Sequence, residues 1–456
     1  MSQYGSDKGG QEVSETSLRH PLQVAQKSAL FGQTRLDPNM IETIPNLMPQ
    51  IRDRFAHVDT CPFTGERIFF ENAGGALTLK SVVDTSAKFA AIPDNQGRDN
   101  AASHALVDII KTAKSDAADL FGVTGGQFFV GESGTELLFR VIRSAAMGAQ
   151  DGGNIVGSTF EHPASRSAAL HWAQHSDRPY LSVAHHNETG LVTADDYAAV
   201  VDAKTRVATI LHSSPVTGMG VDVAAISAAI RAVAPECFII VDGIQNAAHG
   251  AIDIESYDID GYVVSPYKMF SRHGYGFAWV SDRLTALSHE QLLNGPKEAW
   301  EFGTRDTGSY ATMSDVVSYL DWLGGHFSTS TDRRERLVTA GHAILAHETE
   351  LTNAMIHGIG NLKGLAQIDG VEIIGGIDNP KRKGLVSFRI QGRPSPDIVT
   401  ALNDRGIRTH TRKADHYSGG ILNPLGWSDC VRVSVCHYNT LDEIRAFLTA
   451  MQDITA

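Results

Sequence analysis

Short runs of apolar and β-branched residues recur through the middle of the chain, each followed by small residues or a loop: "IFF" from Ile68, then "GQFFV", "NIVGS", "RVATIL", "CFIIVD" and "YVVS". Runs this short and this uniformly apolar predict strands buried on both faces. Between several of them, residues 105–120, 136–147 and 223–233 carry Leu, Ile, Val and Ala three or four positions apart, the spacing of an amphipathic helix. Buried strands alternating with such helices predict an α/β domain with a mainly parallel sheet and helices on both faces. That domain is expected to end near Leu323. A break rich in Gly, Ser and Thr occupies residues 324–330. Beyond it, residues 333–356 predict a long helix, residues 371–374, 385–390 and 431–435 predict strands, and further helices are expected from Ser395 and Leu441. These elements form a smaller α+β C-terminal lobe. Ahead of the sheet pattern, a loose polar arm before Pro38 and a short helical lead-in to Phe55 are expected to pack on that lobe. The expected division is 1–65, 66–323 and 324–456.

The chain has 456 residues, 42% of them hydrophobic, enough for a substantial core. Lys and Arg number 39 against 52 Asp and Glu, a formal net charge of −13. The mean field therefore repels nucleic acid and anionic membrane, and neither is expected as a partner. An anionic ligand needs a focused pocket instead. Four cysteines do not make a disulfide scaffold, and the polar first twenty residues hold no apolar signal core. No apolar stretch approaches the roughly 18 residues of a membrane span. The expected compartment is the cytoplasm.

The densest chemistry lies in "FIIVDGIQNAAHG" and, further on, "DIDGYVVSPYKMFSRHGYGFAWV". Asp242 closes one apolar run, and Lys268 follows another through Ser265, Pro266 and Tyr267. Both belong at the carboxyl ends of strands, where open α/β sheets gather ligands. A carboxylate and an amine at neighbouring strand ends suit pyridoxal phosphate: the amine forms a Schiff base and the carboxylate keeps the pyridine nitrogen protonated. From spacing alone, a helix-capping Asp and a surface Lys fit equally well. "GESGTELLFRVI" puts Gly134 and Thr135 at a helix start, able to cradle a phosphate or to serve as an ordinary cap. "STFEHPASRSAALHW" sets His162 just after a strand. His171 and His175 stand four apart but lack a third ligand, and no metal site is expected. "CVRVSVCHYNT" alternates with period two, placing Cys430, Arg432, Ser434 and Cys436 on one strand face and the valines on the other. An arginine on such a strand needs an anion, from substrate or from a salt bridge.

In order and spacing these motifs resemble the class V aminotransferase family of fold-type I pyridoxal phosphate enzymes, the group of cysteine desulfurases, selenocysteine lyases and isopenicillin N epimerase. The resemblance runs over residues 69–440. It implies a seven-stranded sheet in the large domain, pyridoxal 5'-phosphate as cofactor and an amino acid as substrate. It also implies Lys268 as the Schiff-base lysine and general base, Asp242 at the pyridine nitrogen, and Gln245 at the phenolic oxygen. Gly134, Thr135, Ser265 and Tyr267 are implied at the phosphate, Tyr267 standing where desulfurases commonly carry histidine. His162 is implied as the ring-stacking histidine that assists proton transfer. "EFGT" implies that Gly303 and Thr304 reach the phosphate of a neighbouring subunit, so that a homodimer shares its active sites. Arg432 is implied at the substrate carboxylate, and Asn72 and Ala73 of "ENAGGA" at the site entrance.

Two departures shape the expected reaction. Desulfurases place a nucleophilic cysteine on a loop ahead of the arginine; here "RTHTRKADHYSGGILNPLG" has none. A buried thiol at Cys430 or Cys436 is expected to pack, not react. The loop offers His410, Arg412, Lys413, Asp415 and His416 instead, either a solvated cluster or a pocket for a second acidic group on the substrate. Pro215 stands where desulfurases usually have Asn. The expected function is a C–S or related side-chain elimination without a cysteine nucleophile. An aminotransferase, an epimerase or decarboxylase, and a noncatalytic binding protein on the same fold are the alternatives.

Overall fold

Neighbouring residues of each central strand point into opposite cores, and that alternation organises the large domain. A computed structural model describes residues 40–456; the arm expected before Pro38 lies outside them. Seven strands form the main sheet: β1 (Gln127–Gly131), β2 (Asn154–Ser158), β3 (Tyr180–Val183), β4 (Thr205–Leu211), β5 (Phe238–Asp242), β6 (Gly261–Val264) and β7 (Gly276–Val280), in the order β1-β7-β6-β5-β4-β2-β3. All run parallel except β7, which is antiparallel to both neighbours. Ile239 and Val241 of β5 join one core with helices Ala101–Phe121, Val223–Val233 and Thr307–Gly324. Phe238 and Ile240 face the opposite core, under helices Gly134–Gly148 and Pro163–His175. Both faces are covered, as the uniformly apolar runs require.

Three expectations about strands need revision. "IFF" does not enter this sheet; Ile68–Phe69 pairs in parallel with Ile407–Arg408. β3 and β7 take part in the sheet, although neither was anticipated as a strand. β3 is an edge strand with mixed burial, so its sequence lacks the continuous apolar run of its neighbours.

The smaller α+β lobe has a four-stranded antiparallel sheet of β8 (Val371–Ile373), β9 (Leu385–Ile390), β10 (His410–Lys413) and β11 (Asp429–Ser434), ordered β8-β9-β11-β10. Long helix Arg333–His357 and helices Ser395–Asn403 and Leu441–Thr455 pack with it. Val431, Val433 and Val435 fill this lobe's core, while Cys430 and Cys436 face the core shared with the large domain. The lead-in forms helices Met40–Thr43 and Leu47–Asp53. Its Arg52 donates to the carbonyl of Tyr438, and Phe55 packs edge-on against Phe270 and Tyr319. No helix among the described residues is long and apolar enough to cross a membrane.

Candidate active site

The carboxyl ends of β1, β2, β4, β5 and β6 meet at one edge of the main sheet, and the conspicuous residues lie there. β5 ends on Asp242, 1% exposed, whose Oδ1 accepts the backbone N–H of Ile244 at 3.1 Å. Its other oxygen accepts no hydrogen bond among the described residues. Burial raises this carboxyl to about 6, against the opposing effects of the Ile244 hydrogen bond and the Lys268 charge. β6 leads through Ser265 into a single turn, Pro266–Lys268, which carries the lysine just beyond the strand end. Lys268 Nζ donates to Gln245 Oε1 at 3.1 Å. Burial, with Arg432 and Arg412 adding and Asp242 opposing, brings the lysine down to about 7.

β1 leads to Ser133, which caps helix Gly134–Gly148 by accepting the N–H of Glu136. A side chain at Gly134 would collide with Ser265 Oγ, so only glycine lets this helix start sit against that hydroxyl. Helix-start N–H groups beside a buried hydroxyl are an anion cradle. Thr135 is exposed at the same turn. Tyr267 is partly buried and stacks on His273 with ring centroids 4.3 Å apart.

β2 leads to His162, the cap of helix Pro163–His175, whose Nδ1 accepts the N–H of Ala164 at 3.1 Å. That bond leaves a neutral ring its proton on Nε2. Burial, then Lys268 and Arg412, lower its pKa to about 4. The adjacent Glu161 points into the fold instead, taking hydrogen bonds from Ser158 N–H and Thr209 Oγ1.

Arg432 approaches from the small lobe, 3% exposed. Its guanidinium donates to the carbonyl of Pro215 at 3.2 Å, while its buried Nε has no partner. Pro215 thus takes part through its backbone, although its side chain has no donor. No carboxylate among the described residues lies within salt-bridge distance of Arg432 or Arg412. Pairing in the small sheet sets His410 opposite Arg432 and Arg412 opposite Cys430, so all four share a face. Lys413 falls on the other face and is exposed. His410 reaches Glu71 at 3.3 Å. Burial works against the charge on Glu71, but His410, Arg432 and Arg408 outweigh it and hold the carboxyl low.

The loop at Glu71–Ala76 lies between Arg432 and Tyr267. Asn72 Nδ2 donates to Ser434 O at 2.8 Å, and its Oδ1 accepts from Tyr438; Ala73 N–H donates to Ser434 Oγ. These contacts tie the loop to β11. Gly303 and Thr304 face solvent. Burial raises the thiols of Cys430, to about 12, and Cys436, which disfavours the thiolate form of both. Two groups escaped the sequence reading: His249, four residues after Gln245 inside a motif already singled out, and Glu348, on a distant helix with no local signal.

The residues present fit pyridoxal phosphate: an unpaired Asp242 oxygen for a ring nitrogen, a low-pKa lysine, a helix-start cradle, and an orphaned arginine nitrogen for a substrate anion. A family model described as aminotransferase class-V matches residues 68–447. Cysteine desulfurase-like protein ustD of Aspergillus flavus is 26% identical over 410 residues, covering 86% of this chain and 88% of that protein. A probable cysteine desulfurase of Halobacterium salinarum is 26% identical, covering 85% and 91%. Among solved structures, a cysteine desulfurase of Thermococcus onnurineus superposes with a TM-score of 0.74 over 88% of this chain and 97% of that one, at 19% identity. With the match to the family spanning both lobes and every strand of the main sheet, the chain belongs to the class V aminotransferase family and is a pyridoxal phosphate-dependent enzyme.

Proposed function

We propose that this enzyme removes a side-chain substituent from an amino acid, C–S or related, without a persulfide on the protein. The observation that carries this is the absence of any cysteine from residues 407–427, the stretch ahead of Arg432 where desulfurases place theirs, together with a Lys268 of lowered pKa and an Arg432 whose buried Nε has no partner. The names of the similar proteins above support the same reaction class. Bound here, pyridoxal phosphate supplies an electron sink for a carbanion at Cα. The chain's own residues do the rest. Arg432 holds the substrate carboxylate, and Lys268 takes the Cα proton as general base. The electron pair of the Cβ–X bond then leaves with X. Asp242 is assigned to the ring nitrogen, Gln245 to the ring oxygen, His162 to the ring face, and Gly134, Thr135, Ser265 and Tyr267 to the phosphate. Arg412, its buried Nε also unpartnered, is assigned to a second acidic group on the substrate.

A panel of neutral and acidic amino acids, with products identified by mass spectrometry, tests the reaction. Side-chain elimination gives ammonia, a keto acid and the released substituent; a new amino acid with an amino-acceptor requirement would signify transamination instead. The double variant Cys430→Ser, Cys436→Ser is expected to lower stability and leave elimination in the folded fraction. Loss of elimination in a folded variant would place a thiol on the path.

Two copies are proposed to share their sites through Gly303 and Thr304. Support comes from their exposure and from Leu292 and Leu293 of the same connection, 60% and 92% exposed. The expected solution mass is twice the 49.2 kDa chain. A monomer with full activity would remove the shared site.

A further inference from the structure

Behind Gln245 a chain of hydrogen bonds leaves the lysine and crosses into the small lobe. Gln245 Oε1 accepts from Lys268 at 3.1 Å, Gln245 Nε2 meets His249 Nε2 at 3.2 Å, and His249 Nδ1 meets Glu348 Oε2 at 2.8 Å. Gln245, His249 and Glu348 are all buried, Glu348 completely. A Cβ at Gly384 would fall 2.7 Å from Glu348 Oε2, so a glycine makes room for this carboxylate. With Glu348 ionised and His249 neutral, one arrangement of protons satisfies every link. A carboxylate only accepts, so His249 carries its proton on Nδ1; its Nε2 then accepts, so Gln245 turns its amide nitrogen to the histidine and its oxygen to the lysine.

We infer that His249 and Glu348 are positioning residues that fix the direction of the Gln245 amide, and so keep an acceptor rather than a donor facing Lys268 Nζ. The inference rests on Lys268 being the reactive lysine. An amide in an unconstrained site is free to turn over, presenting its NH2 to the amine. Direction is enforced here from Glu348, on helix Arg333–His357, so the seating of the small lobe is felt at the lysine. The atoms of Cys436 also approach His249 and Glu348, all three within 4.8 Å, a grouping suited to a metal. Both His249 nitrogens are already committed to Gln245 and Glu348, which favours the hydrogen-bonded chain.

Other charged and titratable groups surround it. Lys383, His347, Cys436 and His437 lie about the inner end, and Asp242, Arg432 and Arg412 about Lys268. Among the described residues none of them shares a hydrogen bond with Gln245, so they set the field at the lysine without setting the amide's direction.

The test needs no turnover. Cofactor-free protein is exposed to an amine-acylating reagent across a pH series, and labelling of the Lys268 peptide is followed by mass spectrometry. Glu348→Gln keeps the shape but can donate as well as accept, freeing the histidine and then the amide; His249→Phe breaks the chain outright. Either change should shift the Lys268 profile to lower pH by about one unit, a tenfold change in the proton equilibrium, because a donor facing Nζ disfavours the ammonium. Glu348→Asp should restore the profile part of the way. Nitrogen NMR of histidine-labelled wild type should find the His249 proton on Nδ1, a readout that survives if a variant fails to fold. An unmoved profile in both folded variants, a proton on Nε2, or one equivalent of bound metal lost with His249→Phe would overturn the inference. Failure of Lys268 to capture pyridoxal phosphate would instead strike the assignment of the lysine, and the labelling shift would still decide the positioning.

Discussion

Lys268→Ala is expected to abolish turnover while pyridoxal phosphate still binds, reversibly and with no covalent bond. The cradle at Gly134 and Ser265 and the carboxylate of Asp242 remain in place, so recognition survives the loss of the amine. Proton transfer at Cα does not, and a positioned base is worth roughly 10²–10⁴-fold by itself. The wild-type lysine should also show its unusual environment. Only the neutral amine attacks an aldehyde, and burial with Arg432 brings Lys268 from the ordinary 10.5 to about 7. Because the shift is downward, the reactive form gains population as pH rises through about 7 and is complete well below 10.5. Covalent capture of pyridoxal phosphate by cofactor-free protein should follow that curve, read by the visible absorption band, and borohydride should fix the label on the Lys268 peptide. Normal turnover by Lys268→Ala, or a label on another lysine, would contradict the assignment.

Much of this site was legible in the sequence because its residues follow strands whose signal is local. β5 and β6 are unbroken apolar runs, so Asp242 and Lys268 could be set at strand ends without any long-range knowledge. Helix Val223–Val233 and strand Leu385–Ile390 have the bounds expected of them, the first starting at the capping side chain of Asp222. Period-two alternation likewise predicted the division around Arg432, with valines in one core and cysteines in the other. What failed depended on partners far away in the chain. "IFF" has the texture of a central strand, but its partner is Ile407–Arg408, and nothing local says so. The tie between His249 and Glu348 spans 99 residues. His410 and Arg412 looked alike as loop cations; strand pairing is what turns both onto the face of Arg432, and a carboxylate 339 positions earlier, Glu71, is what engages the histidine and leaves the arginine free.

That difference between the two arginines and their neighbours leads to an expectation about selectivity. Arg432→Ala should weaken every amino acid substrate alike, because all carry the carboxylate it addresses. Truncating one member of a buried, hydrogen-bonded charge pair costs roughly 2–5 kcal/mol, about 30-fold to several thousand-fold in kcat/KM. Arg432→Lys keeps the charge but not the two-pronged geometry, and should recover only part of the loss. Arg412→Ala should fall unevenly: acidic substrates lose a charge-assisted hydrogen bond, whereas neutral ones have no group for it to meet. A second reading separates electrostatics from misfolding. Arg432 pushes the Lys268 pKa down, so its removal should move the pH curve for covalent cofactor capture upward, the reverse of what loss of Asp242 would do. Kinetics on matched acidic and neutral amino acids, together with that curve, decide the roles. An Arg432→Ala enzyme that still discriminates for the α-carboxylate, or an Arg412→Ala enzyme that loses acidic and neutral substrates equally, would remove the residue concerned from the substrate pocket.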